Sequence, residues 1–321
     1  MIRKSDKIYI AGHRGMVGSA CWRALELEGY TNLIGKTSKE IDLRDQKAVN
    51  DFIQTEKPVA IIDAAARVGG ILANDTYPYE FLMDNMLIQN NLIRSAHLNN
   101  IEKFIFLGSS CIYPKFAQQP LKEEYLLTDA LEPTNQWYAL AKISGVKLIE
   151  SLRIQFNRDY ISLMPTNLYG PYDNFDSHTS HVIPGLIRRF YEALKNKHSE
   201  LFIWGDGTPL REFLHVDDLA KACIALLKIN TLSQEDWPFD KHVSFLNVGS
   251  GEEVSIFELA KMLKFTSGFE GEILFDTTKP NGTPRKLLDS SKIRLLGWGP
   301  SINLDEGLNM TYEVFKRNDN S

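Results

Sequence analysis

Cysteine is scarce: the 321 residues hold three, Cys21, Cys111 and Cys223, odd in number and far apart. Such a set supports neither a disulfide framework nor a zinc site and fits a reducing compartment. An excess of positive charge is missing too. The 36 Lys and Arg against 41 Asp and Glu give −5, with a pI near 5.9. That balance is a poor match for general binding to nucleic acid or to an anionic membrane. Long apolar runs are absent, and no uncharged stretch reaches the ~18 residues of a membrane-spanning helix. The charged opening, 1–7, leads straight into Ile8-Tyr9-Ile10-Ala11-Gly12 and then His13-Arg14, without the apolar core of a signal peptide. A cytoplasmic location is therefore expected. No internal repeat or low-complexity tract is visible. What is present is a globular composition, 43% hydrophobic and 24% charged, in a length that suits one large domain or two moderate ones.

The first two-thirds alternates short β-rich runs with helical patterns. Segments 7–12, 32–35 (weakly), 59–65, 103–108 and 160–164 read as strands, and 16–29, 81–99 and 137–156 as helices. Continuously apolar strands suit a parallel sheet covered on both faces. Strands alternating with helices suit a doubly wound α/β fold. From about Tyr169 the pattern changes. Pro171, Asp173, Asn174, Asp176, Ser177 and His178 form a polar, irregular stretch. The elements beyond it, at 201–204, 216–227, 245–248, 255–266 and 272–275, are shorter and more mixed. This reads as a main domain over 1–170 and a smaller α/β substrate-binding lobe over 171–321. Segments near 215–250 have the pattern to rejoin the main sheet, and 317–321 read as frayed.

Glycines at 12, 15 and 18 follow the first strand and open the first helix. Gly12 permits a tight turn and Gly15 lets backbone approach a pyrophosphate. Gly18 lets the helix pack on the strand, with the helix N-terminus facing the anion. In that context the G-x-x-G-x-x-G spacing marks a dinucleotide-binding, Rossmann-type sheet. An NAD site usually carries an acidic residue about 20 residues further on. That zone reads here as basic, with Lys36 and Lys39 joined by Arg14 from the turn, which suits the 2′-phosphate of NADP(H).

Tyr138 and Lys142 lie four apart on the predicted helix 137–156 and share a face. A tyrosine hydroxyl titrates near 10, too high for efficient proton transfer at neutral pH, and an adjacent ammonium is expected to lower it. The strand at 103–108 runs into Ser109-Ser110-Cys111, at a sheet end that faces the ligand crevice. Ser109 is thus expected to hydrogen-bond the substrate oxygen that Tyr138 serves. With the glycine turn, this set resembles the extended short-chain dehydrogenase/reductases. In that family a Ser/Tyr/Lys trio handles the proton that accompanies hydride transfer to or from a nicotinamide.

Longer segments narrow the resemblance: AGHRGMVGS at 11–19, AARVGGI at 65–71, LGSSCIYP at 107–114, MPTNLYGP at 164–171, SHVIP at 180–184, REFLHVDD at 211–218 and KPNGTPRK at 279–286. They are similar to the branch of the family that converts GDP-4-keto-6-deoxy-D-mannose to GDP-L-fucose. That branch epimerises carbons 3 and 5, then reduces carbon 4 by hydride transfer. The ketone acidifies the protons on its flanking carbons, and inversion needs a base on one face and an acid on the other. A thiol becomes thiolate beside a cation, and imidazole supplies a proton near neutrality. By this likeness Cys111 is the base and His181 the acid. The residues alone do not choose between His178 and His181; the Ser-His-Val context of the family does. Tyr138 then protonates the new alkoxide, and Ser109 helps stabilise the enolate-like intermediate.

The likeness also implies the binding residues. For NADP(H) they are Gly12, His13, Arg14, Gly15, Met16, Val17, Gly18, Lys36, Ser38, Lys39, Leu107, Gly108, Ser109, Ser110, Lys142, Pro165, Thr166, Asn167, Leu168 and His181. For the GDP-sugar they are Ser109, Asn167, Val182, Arg189, Trp204, Arg211 and Asn281. Guanidinium groups suit the second diphosphate, and Trp204 suits packing on the nucleotide. No metal is called for. A homodimer through helices near 81–99 and 136–158 is implied. Two positions depart from the pattern: Ser38 stands where the family often has arginine, and Asn281 where it commonly has an acid. His13 and His215 read as structural, Cys21 and Cys223 as core.

Three other readings compete. A sister enzyme acting on GDP-4-keto-3,6-dideoxymannose would invert carbon 5 alone and make GDP-L-colitose with the same Cys/His pair. A non-catalytic dinucleotide-binding regulator is compatible with the fold, but not with Ser109, Cys111, Tyr138, Lys142 and His181 all in place. A 4-epimerase with tightly held NAD would need no Cys/His pair and would carry an acid after the second strand.

Overall fold

The computed structural model describes residues 2–177, 179–279, 281 and 283–319, apart from the side chains of Ile71 and Leu72. In chain order its elements are β1 (Ile8–Ala11), α1 (Met16–Leu27), β2 (Leu33–Ile34), α2 (Gln46–Glu56), β3 (Ala60–Asp63), α3 (Ile71–Thr76), α4 (Pro78–Leu98), β4 (Lys103–Leu107), α5 (Gln136–Phe156), β5 (Asp159–Pro165), β6 (Asn167–Tyr169), α6 (Val182–Lys195), β7 (Glu200–Trp204), β8 (Leu210–His215), α7 (Val216–Leu227), β9 (Phe245–Val248), β10 (Glu253–Ser255), α8 (Ile256–Ser267), β11 (Glu272–Asp276), β12 (Arg285–Lys286), α9 (Ser291–Leu295) and α10 (Leu304–Asp319).

The strands of the main sheet are apolar throughout because they have two faces to bury. Ile8 and Ile10 of β1 enter one core cluster, and Tyr9 and Ala11 enter the other. Six strands in the order β2-β1-β3-β4-β5-β9 make this sheet, every pair parallel. Helices α1 and α7 cover one face, and α2, α4 and α5 the other. The chain runs from β1 to β2 on one side and crosses back to β3 on the other. The C-terminal ends of β1 and β3 therefore flank the switch point where such sheets take their ligands. This is the doubly wound α/β fold expected. Segments 216–227 and 245–248 form α7 and β9, and β9 pairs with β5 in the main sheet.

A third core cluster lies under α6, α8 and α10. Beside it β8 organises a second sheet, pairing with β6, β10 and β12. The sequence analysis places no helix at α2, α3, α6, α9 or α10. In α2, Val49 and Ile53 are the buried positions, too sparse for a clear period, although Asp45 caps the helix by accepting from the Ala48 N–H at 3.0 Å. The expected fraying from 317 is corrected. Helix α10 continues to Asp319, whose carboxylate pairs with Lys195 of α6 at 3.2 Å. Residues 320 and 321 lie outside those described. No described helix is long and apolar enough to cross a membrane.

Candidate active site

The turn after β1 is built as its glycines require. Gly12 has φ of +76°, and a Cβ there would sit 2.8 Å from Ala64 O, just beyond β3. A Cβ on Gly18 would overlap Gly12 O, so only hydrogen lets α1 start so close to the strand end. Gly15 is the N-cap of α1 and is exposed, with only Gly12 O, from its own turn, near its missing Cβ. The free N–H groups of the helix start are presented there. Met16 and Val17 pack onto the core beneath. His13 is structural in its packing: its ring lies over Gly35 and 5.7 Å from the Trp22 ring. Burial, then the nearby Arg14, holds its imidazole below the ordinary value.

Past β2, Arg14 and Lys39 are exposed, and no hydrogen bond or ion pair engages either side chain among the described residues. Ser38 is exposed beside them. Lys36 reaches Glu40 at 3.4 Å. Glu40 adds a carboxylate to this zone, which reads as basic in sequence. It folds back on its own turn, accepting from Thr37 N–H at 2.8 Å and Thr37 Oγ1 at 2.7 Å. Those bonds hold it down to about 2. Arg14 and Lys39 remain the unpaired charges, a fit to a phosphate.

The candidate reaction centre lies where β4 ends under α5. Gly145 lets α5 approach, since a Cβ there would lie 2.6 Å from the Phe106 ring. Lys142, 3% exposed, donates to Leu107 O at 2.7 Å and stands 4.6 Å from the centre of the Phe106 ring and 5.7 Å from that of Tyr138. The expectation that Lys142 lowers the Tyr138 hydroxyl is not met. Burial raises that hydroxyl well above its ordinary value, and Cys111 and Asp63 add to the rise. Spacing put the two side chains on one face, and one N–H of the ammonium goes to Leu107 O. Burial lowers Lys142, and Asp63 and Cys111 oppose that.

Gly108 is needed because a Cβ would overlap the Met164 side chain. Ser109 then caps a short 3₁₀ turn over Ser110–Ile112, its Oγ accepting from the Cys111 N–H at 3.3 Å. Burial pushes the Cys111 thiol up, while Lys286, Ser109 and Lys142 pull it down. The cation that a thiolate wants is thus first of all Lys286 of β12, which the sequence reading quoted within a motif and gave no role. His181 is the N-cap of α6, open to solvent on one side and crowded by protein on the other. That crowding, then Lys286, holds its imidazole below the ordinary value. His178 lies outside the described residues. The Gly70 N–H donates to Thr179 O at 3.0 Å, and a Cβ on Gly70 would press on Ser180 O. The Val-Gly-Gly and Ser-His-Val segments, far apart in sequence, are therefore one contact.

Asp63, at the end of β3, has no role in the sequence analysis. It is 1% exposed, Oδ1 accepts from Ala65 N–H at 3.2 Å, and Oδ2 has no partner among the described residues. Burial pushes its carboxyl up from 3.8 to about 6, against the pull of Lys142 and the Ala65 N–H. Folding therefore favours protonated Asp63. That contribution is complete below pH 3.8 and is lost as pH rises to about 6. Asp63→Asn cannot ionise and escapes the loss. Its stability relative to wild type is expected to rise between pH 4 and pH 8 by up to about 3 kcal/mol, read from urea unfolding at the two pH values.

On the lobe side, the Arg189 guanidinium of α6 lies 5.4 Å from the Trp204 ring centre, and Lys279 Nζ lies 5.8 Å from it. Trp204 is 56% exposed at the end of β7. Asn281 Oδ1 accepts from Asp206 N–H at 2.9 Å beside Gly205, whose φ is +83°. The amide therefore fastens the loop after β7. Val182 is exposed in the first turn of α6. Asn167 Nδ2 and Thr166 Oγ1 both donate to Glu212 O, at 2.8 and 3.3 Å, bracing β8 against the end of β5 and Pro165. Leu168 packs on the main core. His215 Nδ1 accepts from Asp217 N–H at 3.3 Å at the start of α7, and Cys21 and Cys223 are fully buried.

Comparisons with known proteins agree with this geometry. Residues 8–237 match the model of the NAD dependent epimerase/dehydratase family. The chain is 55% identical to a protein of Arabidopsis thaliana described as putative GDP-L-fucose synthase 2, over 99% of this chain and 94% of that one. It is 50% identical to the GDP-L-fucose synthase of Escherichia coli K12, covering 98% and 97%. Identity to the GDP-L-colitose synthase of Yersinia pseudotuberculosis is 38%, covering 98% and 99%. Among solved structures, a GDP-D-glycero-L-gluco-heptose synthase of Campylobacter jejuni, determined in the presence of NADPH, aligns with a TM-score of 0.90. It is 36% identical and covers 98% of this chain and 100% of that one.

Proposed function

The chain belongs to the NAD-dependent epimerase/dehydratase family, and from that premise we propose that it converts GDP-4-keto-6-deoxy-D-mannose to GDP-L-fucose with NADPH. The observation that carries the reading is the meeting, at the end of β4, of a Ser109/Tyr138/Lys142 set with Cys111 and, through Lys286, with His181. A simple reductase or 4-epimerase has no use for the second pair. NADPH supplies the hydride to carbon 4. Arg14 and Lys39 hold its 2′-phosphate, and the exposed backbone at Gly15 receives its pyrophosphate. Cys111 takes a proton from a carbon beside the ketone, and His181 returns one to the opposite face. Ser109 and Tyr138 hold the ketone oxygen, and Tyr138 protonates it on reduction. Arg189, Trp204 and Arg211 take the GDP-sugar from the lobe side.

The test is NADPH oxidation at 340 nm with GDP-4-keto-6-deoxy-D-mannose, with the product identified by NMR. The expected product is GDP-L-fucose. A folded, NADPH-binding enzyme that ignores this sugar and turns over the 3,6-dideoxy sugar would replace the assignment by the colitose-type reaction, which the lower 38% identity supports less well.

The dimer belongs to the same proposal. Along α4, Tyr79, Met83 and Leu87 are spaced by four and 68%, 37% and 37% exposed, and Leu140 and Ile154 of α5 are exposed as well. An apolar stripe of this kind is an association surface. Sedimentation is expected to give twice the 36.5 kDa chain mass, and Met83→Asp with Leu87→Asp to give the monomer. Free cysteines accord with a cytoplasmic setting.

A further inference from the structure

Lys286 has no part in the roles above, yet its surroundings ask for one. Its neighbour on β12, Arg285, turns to one face and pairs with Glu253 at 2.8 Å. Strand alternation turns Lys286 to the other face, and the β12–β8 register sets it beside Arg211. Two cations thus stand side by side, both half-buried. Arg211 donates to Leu210 O at 2.9 Å, and no hydrogen bond or ion pair engages Lys286 Nζ among the described residues. The next acid on β8, Glu212, is occupied by the N–H groups of Gly251 at 2.7 Å and Leu288 at 3.0 Å. A crowded ammonium without a partner is costly unless an anion forms next to it.

Just beyond Lys286 the chain lies against the loop that follows Cys111, with Leu287 N–H donating to Gln119 Oε1 at 2.8 Å and Leu121 N–H to Leu287 O at 2.7 Å. The titratable groups around the ammonium are the Cys111 thiol after β4, Arg211 and the already occupied Glu212 of β8, and the His181 imidazole at the start of α6. Of the thiol and the imidazole, the thiol is the one that becomes an anion. The other titratable groups around Cys111 come from α5. Lys142 is committed to Leu107 O, and Tyr138 is kept neutral by burial.

We propose that Lys286 is the counter-ion of the Cys111 thiolate, a positioning residue that holds the sulfur ionised for its work as base. The inference rests on Cys111 and His181 being the epimerisation pair. In the step it serves, the thiolate takes a proton from the carbon beside the ketone. The C–H electron pair passes into the enolate and the sulfur becomes S–H. A proton from the His181 imidazolium then re-forms the C–H bond on the opposite face. Lys286 exchanges no proton, and its positive charge also makes protonated His181 a readier donor.

The test uses the full chain, without NADPH, as wild type, Lys286→Met, Lys286→Arg and Cys111→Ala. Two rates are read: alkylation of Cys111 by iodoacetamide against pH, located by peptide mass spectrometry, and deuterium uptake at carbons 3 and 5 of the keto sugar in D₂O. For Lys286→Met the alkylation midpoint is expected to move up by about one pH unit or more, cutting the rate at pH 7.5 about tenfold. Deuterium uptake should fall by a similar factor, and Lys286→Arg should restore most of both. Should Lys286→Met not fold, Lys286→Gln carries the same comparison. A folded variant whose alkylation profile matches wild type overturns the proposal, including when only KM rises, which would make Lys286 a diphosphate contact. Deuterium uptake at the wild-type rate by Cys111→Ala would instead remove the underlying pair, and the inference with it.

Discussion

Cys111→Ala is expected to stop GDP-L-fucose formation while NADPH oxidation continues. Removing a positioned base costs about 10²–10⁴ in rate, and the ~10³ middle of that range is expected for fucose appearing in the product. The reductive set does not depend on the thiol. Ser109 Oγ accepts from the backbone N–H of residue 111, which alanine retains, and Lys142 is fixed by Leu107 O. Hydride delivery to the unepimerised ketone therefore remains possible, and the product should shift to the GDP-6-deoxy sugar with its original configuration at carbons 3 and 5. NADPH oxidation at 340 nm combined with NMR of the product reads both quantities at once. Fucose at the wild-type rate would remove Cys111 from the chemistry and leave it a core thiol. The structural cost of the change is small, because one buried sulfur atom is lost from a site 9% exposed and the backbone turn stays capped.

The legible parts of this protein were those set by local rules. A strand buried on both faces must be apolar at every position, so β1, β3, β4 and β5 stood out. The glycine turn could be read because each glycine answers a contact within a few residues or at the next strand end. Tyr138 and Lys142 were found by helical spacing. What spacing could not supply was the partner: it placed the ammonium on the tyrosine's face, and the hydrogen bond it makes is to Leu107 O. Lys286 escaped notice for a related reason. Its neighbours Arg211, Cys111 and His181 come from three distant segments, and only the folded chain, in part through the β12–β8 register with Arg211, brings it among them. Glu40 was passed over in a zone read for charge, and its carboxylate proves to be spent on Thr37. Helix α6, which carries Arg189 and begins at His181, announces itself by amphipathic pattern but follows a polar loop with no strong cap.

Tyr138→Phe is expected to give the converse of Cys111→Ala. Loss of the hydroxyl removes the proton donor to the carbon-4 alkoxide, and reduction should fall by about 10²–10⁴. Deuterium uptake at carbons 3 and 5, which needs Cys111 and His181, should persist within a few-fold. The pH profile carries the sign. Burial raises the Tyr138 hydroxyl, and Cys111 and Asp63 raise it further, so the group stays protonated through the neutral and mildly alkaline range. The wild-type reduction rate should not show a tyrosine-derived decline below pH 9. A decline centred near neutrality that disappears in Tyr138→Phe would mean that the bound sugar and NADPH bring the hydroxyl down to working range, reversing the direction set by the protein alone. Continued reduction at the wild-type rate in Tyr138→Phe would move the donor role to Ser109, whose hydroxyl proton, shared with the Cys111 side chain in the free enzyme, would turn to the ketone oxygen. Opposite defects in the two variants would divide the reaction between two groups of side chains that meet at the end of β4, with epimerisation on the Cys111 side and reduction on the Tyr138 side.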